Sequence, residues 1–382
     1  MARTVDLLIA GAHEVATCRG PADGVTGEDL RSLDCISDGA VAVDAGRIVE
    51  VGASAALEHR FAAREVIDAT GRLVSPGLVD SHTHLVHAGS RHDEWEARVT
   101  GVRAPGIAGG IQRTVRWTHE ADDAALLGRA LADLDVMAMH GTTTVEAKTG
   151  YGLSRDSELR LLRLTAGLRH AVEVVPTFLG AHVLPAEYAD RRGDYVDLVV
   201  DMLAQAAAEA AYCDVCCDPI GFTEEECRRL GEAARDLGMG VRLHADQTGD
   251  AGGATLAARL RAASADHLDH ASEAGFRAMA EAGTVATLLP GVTHHMLEMT
   301  PPLEDDAVGR AEKPFMPRLA RTAVDAGGVV ALATDYNPGT CPTPSMQAVM
   351  QLAARLYRLG YAEIWHMCTI NAAAALGRGA DR

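Results

Sequence analysis

Aromatic side chains are scarce in this 382-residue chain: Phe, Trp and Tyr make up 4% of it, although hydrophobic residues make up 48%. An interior of that kind is built mainly from Ala, Val and Leu, which suits parallel strands covered by helices. Positive charge is short as well. With 35 Lys+Arg against 53 Asp+Glu the net charge is −18, which argues against a surface made to hold nucleic-acid phosphates. No stretch reaches the roughly 18 uncharged apolar residues that cross a bilayer, so no membrane partner is expected. The eight cysteines (Cys18, Cys35, Cys213, Cys216, Cys217, Cys227, Cys341 and Cys368) follow no even framework, and no secretory leader precedes them. A reduced, cytoplasmic protein is the expected reading.

Two rhythms divide the chain. Residues 5–76 read as short strands and turns: VDLLIAGA, a Gly-, Asp- and Ser-rich stretch, then GAVAVDAGRIVEVG, which alternates with period two around a Gly-containing turn. After Ser75, Pro76 and Gly77, apolar runs alternate with Ala-, Leu- and Arg-rich segments of helical periodicity. Eight strands are predicted at 77–85, 141–148, 173–182, 212–218, 240–246, 264–270, 283–291 and 329–337. Eight such units predict an α/β fold of the (β/α)8 TIM-like barrel kind, whose chemistry sits at the strand C-terminal ends.

Polar residues that close those strands are therefore the first candidates. His82 and His84 form a His-x-His pair at the end of the first, and two-residue spacing puts both imidazoles on one face. His244 in VRLHADQ, His267 in SADHLDH and Asp335 in ALATDYNPG close three others. Each alone reads equally well as a satisfied buried residue; four separate strand ends offering metal-ligand side chains do not read as packing. His82, His84, His244 and Asp335 make a mononuclear set with a position open for water, and the donors suit Zn²⁺, with Fe or Mn also fitting. An ion there lowers the pKa of that water, and Asp335 accepts its proton.

Other features are weaker. The CxxC spacing in CDVCC (213–217) lies within an apolar strand without a second Cys/His pair, which favours buried thiols over a metal. GIAGGI (106–111) lacks the Lys and the strand-to-helix context of a phosphate loop and reads as a mobile loop near the site. His294 and His295 read equally as loop surface or as pocket residues.

Taken in order from about residue 74 to 377, VSPGLVDSHTHL, VEAKTGYGL, PTFLGAHVLP, HADQ, SADHL, TVATLLPG and ATDYNPGT resemble the imidazolonepropionase family of the amidohydrolase superfamily. The resemblance implies a metal-dependent barrel over 77–382 with a small β-sandwich domain whose N-terminal part is 1–76. It also implies a homodimer that hydrolyses the cyclic amide 4-imidazolone-5-propionate to N-formimidoyl-L-glutamate in histidine breakdown. It carries the metal ligands onto His82, His84, His244 and Asp335, and substrate contacts onto Arg91, Tyr151 and His182, with Arg91 facing the propionate. Gln247 and His267 match positions beside the reacting ring: Gln247 orients it, His267 stabilises the developing oxyanion, and Asp335 relays the proton to the leaving nitrogen.

Three departures accompany the likeness. RVTGVRAPGIAGG (98–110) holds no Tyr where the family has a substrate-binding one, residues 292–318 read as an insertion, and the chain stops at Arg382 before the strands that complete the family's sandwich. They keep open a different five-membered cyclic amide as substrate. Ring deamination is the remoter alternative, since those relatives place a proton-shuttling Glu where this chain has Gln247.

Overall fold

The computed structural model describes residues 2–100, 110–297 and 316–381. The N-terminal strands β1 (Arg3–Val15), β2 (Ile36–Asp44), β3 (Arg47–Ala53), β4 (Phe61–Asp68) and β5 (Leu73–Val74) form one sheet in the order β3-β2-β1-β4, with β5 also paired to β1. The expected hairpin is β2–β3. Its turn residues Ala45 and Gly46 have φ of 50° and 72°, the left-handed pair that a two-residue hairpin needs to match strand twist. Asp6 steadies Ala45 there by accepting its N–H at 2.8 Å.

All eight strands expected after residue 77 are present: β6 (Leu78–Asp80), β7 (Thr142–Lys148), β8 (Glu173–Ala181), β9 (Tyr212–Cys217), β10 (Gly240–Ala245), β11 (Ser264–His267), β12 (Val285–Leu288) and β13 (Val330–Leu332). They pair parallel, in chain order, from β6 to β13. Closure happens past the strand ends, where Asp335 donates its backbone N–H to His82 O at 3.0 Å and His84 donates to Tyr336 O at 2.9 Å. The surrounding helices present their apolar stripe inward. The helix Arg192–Ala206 buries Val196, Val199, Met202 and Leu203, while Glu224–Asp236 starts at a capping box in which Thr223 and Glu226 satisfy each other's backbone N–H groups.

Apolar side chains plug the barrel's N-terminal end: Val79, Val175, Val285 and Ala331 meet Ala372, Ala373 and Leu376 of the C-terminal helical segment. Asn371 fastens the N-terminal part to this plug, accepting the Val25 N–H at 2.7 Å and donating to Val25 O and Val330 O. The middle of the barrel differs from the usual layers of branched aliphatics. Glu146, Lys148, Asp214, Arg242 and Asp266 all lie inside, with 1% exposure or less.

Beyond β11, Asp269 is buried and accepts the Thr293 hydroxyl at 2.6 Å, which in turn lies 2.9 Å from the Tyr357 hydroxyl. Burial pushes the Asp269 carboxyl up to about 7, although the Thr293 hydroxyl opposes the shift. In the unfolded chain it ionises near 3.9, so the native state holds the extra proton and stability from this group falls as pH rises between about 4 and 7. Asp269→Asn removes that loss. Its melting temperature is expected to gain on the wild type by more at pH 8 than at pH 5, a difference on the order of 2 kcal/mol; equal gains at both values would contradict the buried-acid account.

Candidate active site

The C-terminal rim of the barrel gathers residues from five strand ends. His82 and His84 follow β6, His182 follows β8, His244 lies within β10, His267 ends β11 and Asp335 follows β13. Two of them sit in backbone conformations that side-chain-bearing residues rarely adopt: φ is 74° at His267 and 51° at Asp335. Such strain of one to a few kcal/mol is held only where the surroundings over-determine it.

The side chains converge. Asp335 Oδ1 lies 3.4 Å from His82 Nε2 and 3.4 Å from His84 Nε2, and His84 Nε2 lies 3.4 Å from His244 Nε2. A tetrahedral ion with bonds of about 2.1 Å sets its ligand atoms about 3.4 Å apart. His82 Nε2 and Asp335 Oδ1 are buried without a hydrogen-bond partner, an arrangement costly for a protein unless another group takes the lone pairs. The four residues thus fit a metal ion. His267 and His182 adjoin the set: ligand atoms of His82, His244 and His267 lie within 4.8 Å of one another, as do those of His84, His182 and His244.

Burial readies three of the histidines for the same use. Burial, then the positive charge of Lys148, holds His82 well below the ordinary imidazole value; burial does the same to His84 and His267. Their lone pairs are free of protons. His244 is held above it, because burial is outweighed by the Asp214 carboxylate at 3.0 Å from its Nδ1. Burial pushes Asp335 up to about 7.

Around this centre stand the other sequence candidates. Tyr151 is buried with its ring 5.4 Å from that of His84 and 5.7 Å from that of His182. His182 stacks on His84 at 4.9 Å and has its Nδ1 3.0 Å from Gly150 O. Gly150 has φ of 105°, and a side chain there would strike His182 Nδ1 at 2.7 Å. Arg91 is 9% exposed and forks its Nε and Nη2 onto Glu94 Oε2, at 2.9 and 2.8 Å. Arg113 completes that group by bonding Asp93 and Glu94. Gln247 is half-buried in the loop after β10.

Sequence reasoning passed over the charges beneath the rim. Asp266 Oδ2 accepts from His82 Nδ1 at 2.6 Å, and Asp214 Oδ1 accepts both the backbone N–H of His244 and its Nδ1–H. Lys148 Nζ reaches Glu146 and Asp214 at 2.7 Å each and Asp266 at 3.6 Å. Burial opposes the Lys148 charge, but Asp214 and Glu146 outweigh it and its pKa is raised. The signal was present in charged residues at alternating positions of apolar strands, as in Glu146-x-Lys148 and Arg242-x-His244.

The thiols of CDVCC are buried, and burial pushes Cys213 and Cys216 up, away from the thiolate form a metal takes. His295 is buried in the helix Pro290–Leu297 and His294 is exposed on it. Most of GIAGGI, the Tyr-less stretch at 101–109 and positions 298–315 of the expected insertion lie outside the described residues.

The profile of the amidohydrolase family matches residues 73–381. An imidazolonepropionase from Symbiobacterium thermophilum is 44% identical over 391 residues, spanning 99% of this chain and 88% of that protein. One from Sphingopyxis alaskensis is 43% identical over 364 residues, spanning 94% of this chain and 85% of that protein. Among solved structures, a zinc-bound adenosine deaminase from Xanthomonas campestris superposes with a TM-score of 0.61, 20% identity and coverage of 99% of this chain and 82% of that one; at that identity the likeness is one of fold. With such relatives along nearly its whole length, the chain belongs to the amidohydrolase family, on its imidazolonepropionase branch.

Proposed function

We propose that this protein hydrolyses the ring amide of 4-imidazolone-5-propionate to N-formimidoyl-L-glutamate, the reaction that gives its relatives their name. The observation that carries the reading is the meeting of His82, His84, His244 and Asp335 at 3.4 Å separations on a buried rim. In this reading those four residues hold one metal ion per chain, Zn or Fe. When bound, such an ion supplies Lewis acidity that polarises a carbonyl and makes water acidic near neutral pH.

The chain's own residues do the rest. Asp335, whose Oδ1 lies 3.4 Å from His82 Nε2 and from His84 Nε2, is suited to taking a proton from water and handing it to the ring nitrogen as the C–N bond breaks. The water oxygen stays on the carbonyl carbon as the new carboxylate. His267, kept neutral by burial and with both ring nitrogens unpartnered, is available to donate to the carbonyl oxygen as charge builds on it. Gln247 orients the ring by hydrogen bonding, and Tyr151 and His182 form the wall against which it lies. Arg91 meets the propionate with the guanidinium edge that Glu94 leaves free. The reading includes a homodimer working in the cytoplasm on a small molecule, without nucleic acid or membrane.

The direct test follows the ultraviolet loss of freshly made 4-imidazolone-5-propionate in a sample whose metal is counted by elemental analysis. Turnover with about one ion per chain is expected, and both are expected to vanish together in His244→Ala; metal without turnover would reject this substrate.

His267→Ala should keep its metal and lose about 10²–10³-fold in kcat, the scale of a lost oxyanion donor. Loss of the ion in that variant would instead make His267 a ligand. Arg91→Ala should raise KM for the carboxylate substrate at least about tenfold while changing KM for its amide analogue by less than about twofold. Equal effects on the two would remove Arg91 from carboxylate recognition.

A further inference from the structure

Lys148 is one of two lysines in the chain, the other being Lys313, among 35 Lys+Arg residues in all. Arginine is thus the ordinary cation of this protein, and the exception lies at the end of β7, in the barrel interior, with 1% exposure. Its head group faces three carboxylates that come from different strands: Glu146 on its own strand, Asp214 on β9 and Asp266 on β11. An ammonium presents three N–H donors fanned from one atom, whereas a guanidinium presents its donors in one plane. Only the former points at three separate carboxylates from a single position.

Two of those carboxylates have a second duty. Asp214 accepts from Nδ1 of His244 and Asp266 from Nδ1 of His82. A proton fixed on Nδ1 leaves the Nε2 lone pair as the ligand atom and fixes the ring's rotation. Arg242 shares the load on Asp266 at 3.3 Å, but its Nη1 and Nη2 also bond the carbonyls of Ala375 and Ser81, and its Nε faces Glu146 at 3.6 Å, not Asp214. Among the described residues the cation common to both His-orienting carboxylates is therefore Lys148.

We propose that Lys148 is a positioning residue for the metal centre: its ammonium holds Asp214 and Asp266 against His244 and His82, so that both Nε2 atoms face the ion. It touches neither ion nor substrate. The inference rests on the metal reading above and goes beyond it by assigning control of two ligands to one buried charge beneath them.

The test reads metal affinity, not turnover. Zn²⁺ is titrated against a chromophoric chelator for the wild type, Lys148→Met and a control, Asn371→Ala, which breaks buried hydrogen bonds to Val25 and Val330 at the opposite end of the barrel. Melting temperatures of the metal-free proteins are recorded alongside. Lys148→Met is expected to lose about 10–100-fold in Zn²⁺ affinity, as partners of ligating histidines do, while Asn371→Ala loses stability but stays within about twofold in affinity. Equal affinity losses in the two variants, or an unchanged affinity in Lys148→Met, would overturn the proposal and leave Lys148 as a structural ion pair. Should Lys148→Met fail to fold, the charge-compensated pair Lys148→Met with Asp214→Asn is compared with Asp214→Asn alone. A further drop of at least about threefold is expected, through Asp266, and no drop overturns the proposal. A wild type that takes up no Zn²⁺ overturns both this inference and the metal reading, whereas tight wild-type binding with an indifferent Lys148→Met overturns this one alone.

Discussion

Two backbone hydrogen bonds close this barrel, from Asp335 N–H to His82 O and from His84 N–H to Tyr336 O. They lie beyond the ends of β6 and β13, in the same few residues that supply three of the four converging side chains. Barrel closure and site assembly are thus one event. Asp80 strengthens the seam by accepting both the N–H and the hydroxyl of Thr334, so the first and last strands are tied just before the residues that converge. The positive φ at Asp335 belongs to this constraint, since the chain turns there to bring a carboxylate under the His-x-His pair while its N–H closes the seam.

The second consequence is electrostatic. A barrel interior filled with Glu146, Asp214, Asp266, Lys148 and Arg242 forgoes apolar packing, and buried ions contribute little to net stability. What the arrangement supplies is orientation. The carboxylates hold the Nδ1 atoms of His82 and His244, the cations keep those carboxylates ionised, and the seam holds His84 and Asp335 in reach. Apolar adhesion is placed elsewhere, in the plug of Val79, Val175, Val285, Ala331 and the C-terminal helical segment, and in the ring of helices outside.

Much of this was legible in the residues. Apolar strand runs separated by amphipathic helical segments specify the barrel because a parallel sheet buried on both faces needs them. The polar residues that end such runs stood out against their surroundings, and those at 82, 84, 244, 267 and 335 are the ones whose side chains converge. Asp214 and Asp266 were harder to see. A single acidic residue inside YCDVCC or SADH looks like a lapse in the pattern until the neighbouring strand places an imidazole opposite it. Arg91 shows a different gap: the family resemblance marks it as a cation suited to a carboxylate, yet gives no sign that Glu94, three residues on, already occupies one edge of it.

By itself the sequence determined the strand count, the parallel order, the identity of the ligand-type residues and the family, all of which follow from local periodicity and short motifs. Tertiary structure alone decided that β6 and β13 meet through the metal-type residues, that Lys148 faces three acids from three strands, and which nitrogen of His82 and His244 is left for an ion. The physical reason is range. Periodicity and spacing act over a few residues along the chain, whereas the contacts His82–Asp266, His244–Asp214 and Asp335–His84 join residues dozens to hundreds apart, and only packing brings them within 3.4 Å of one another.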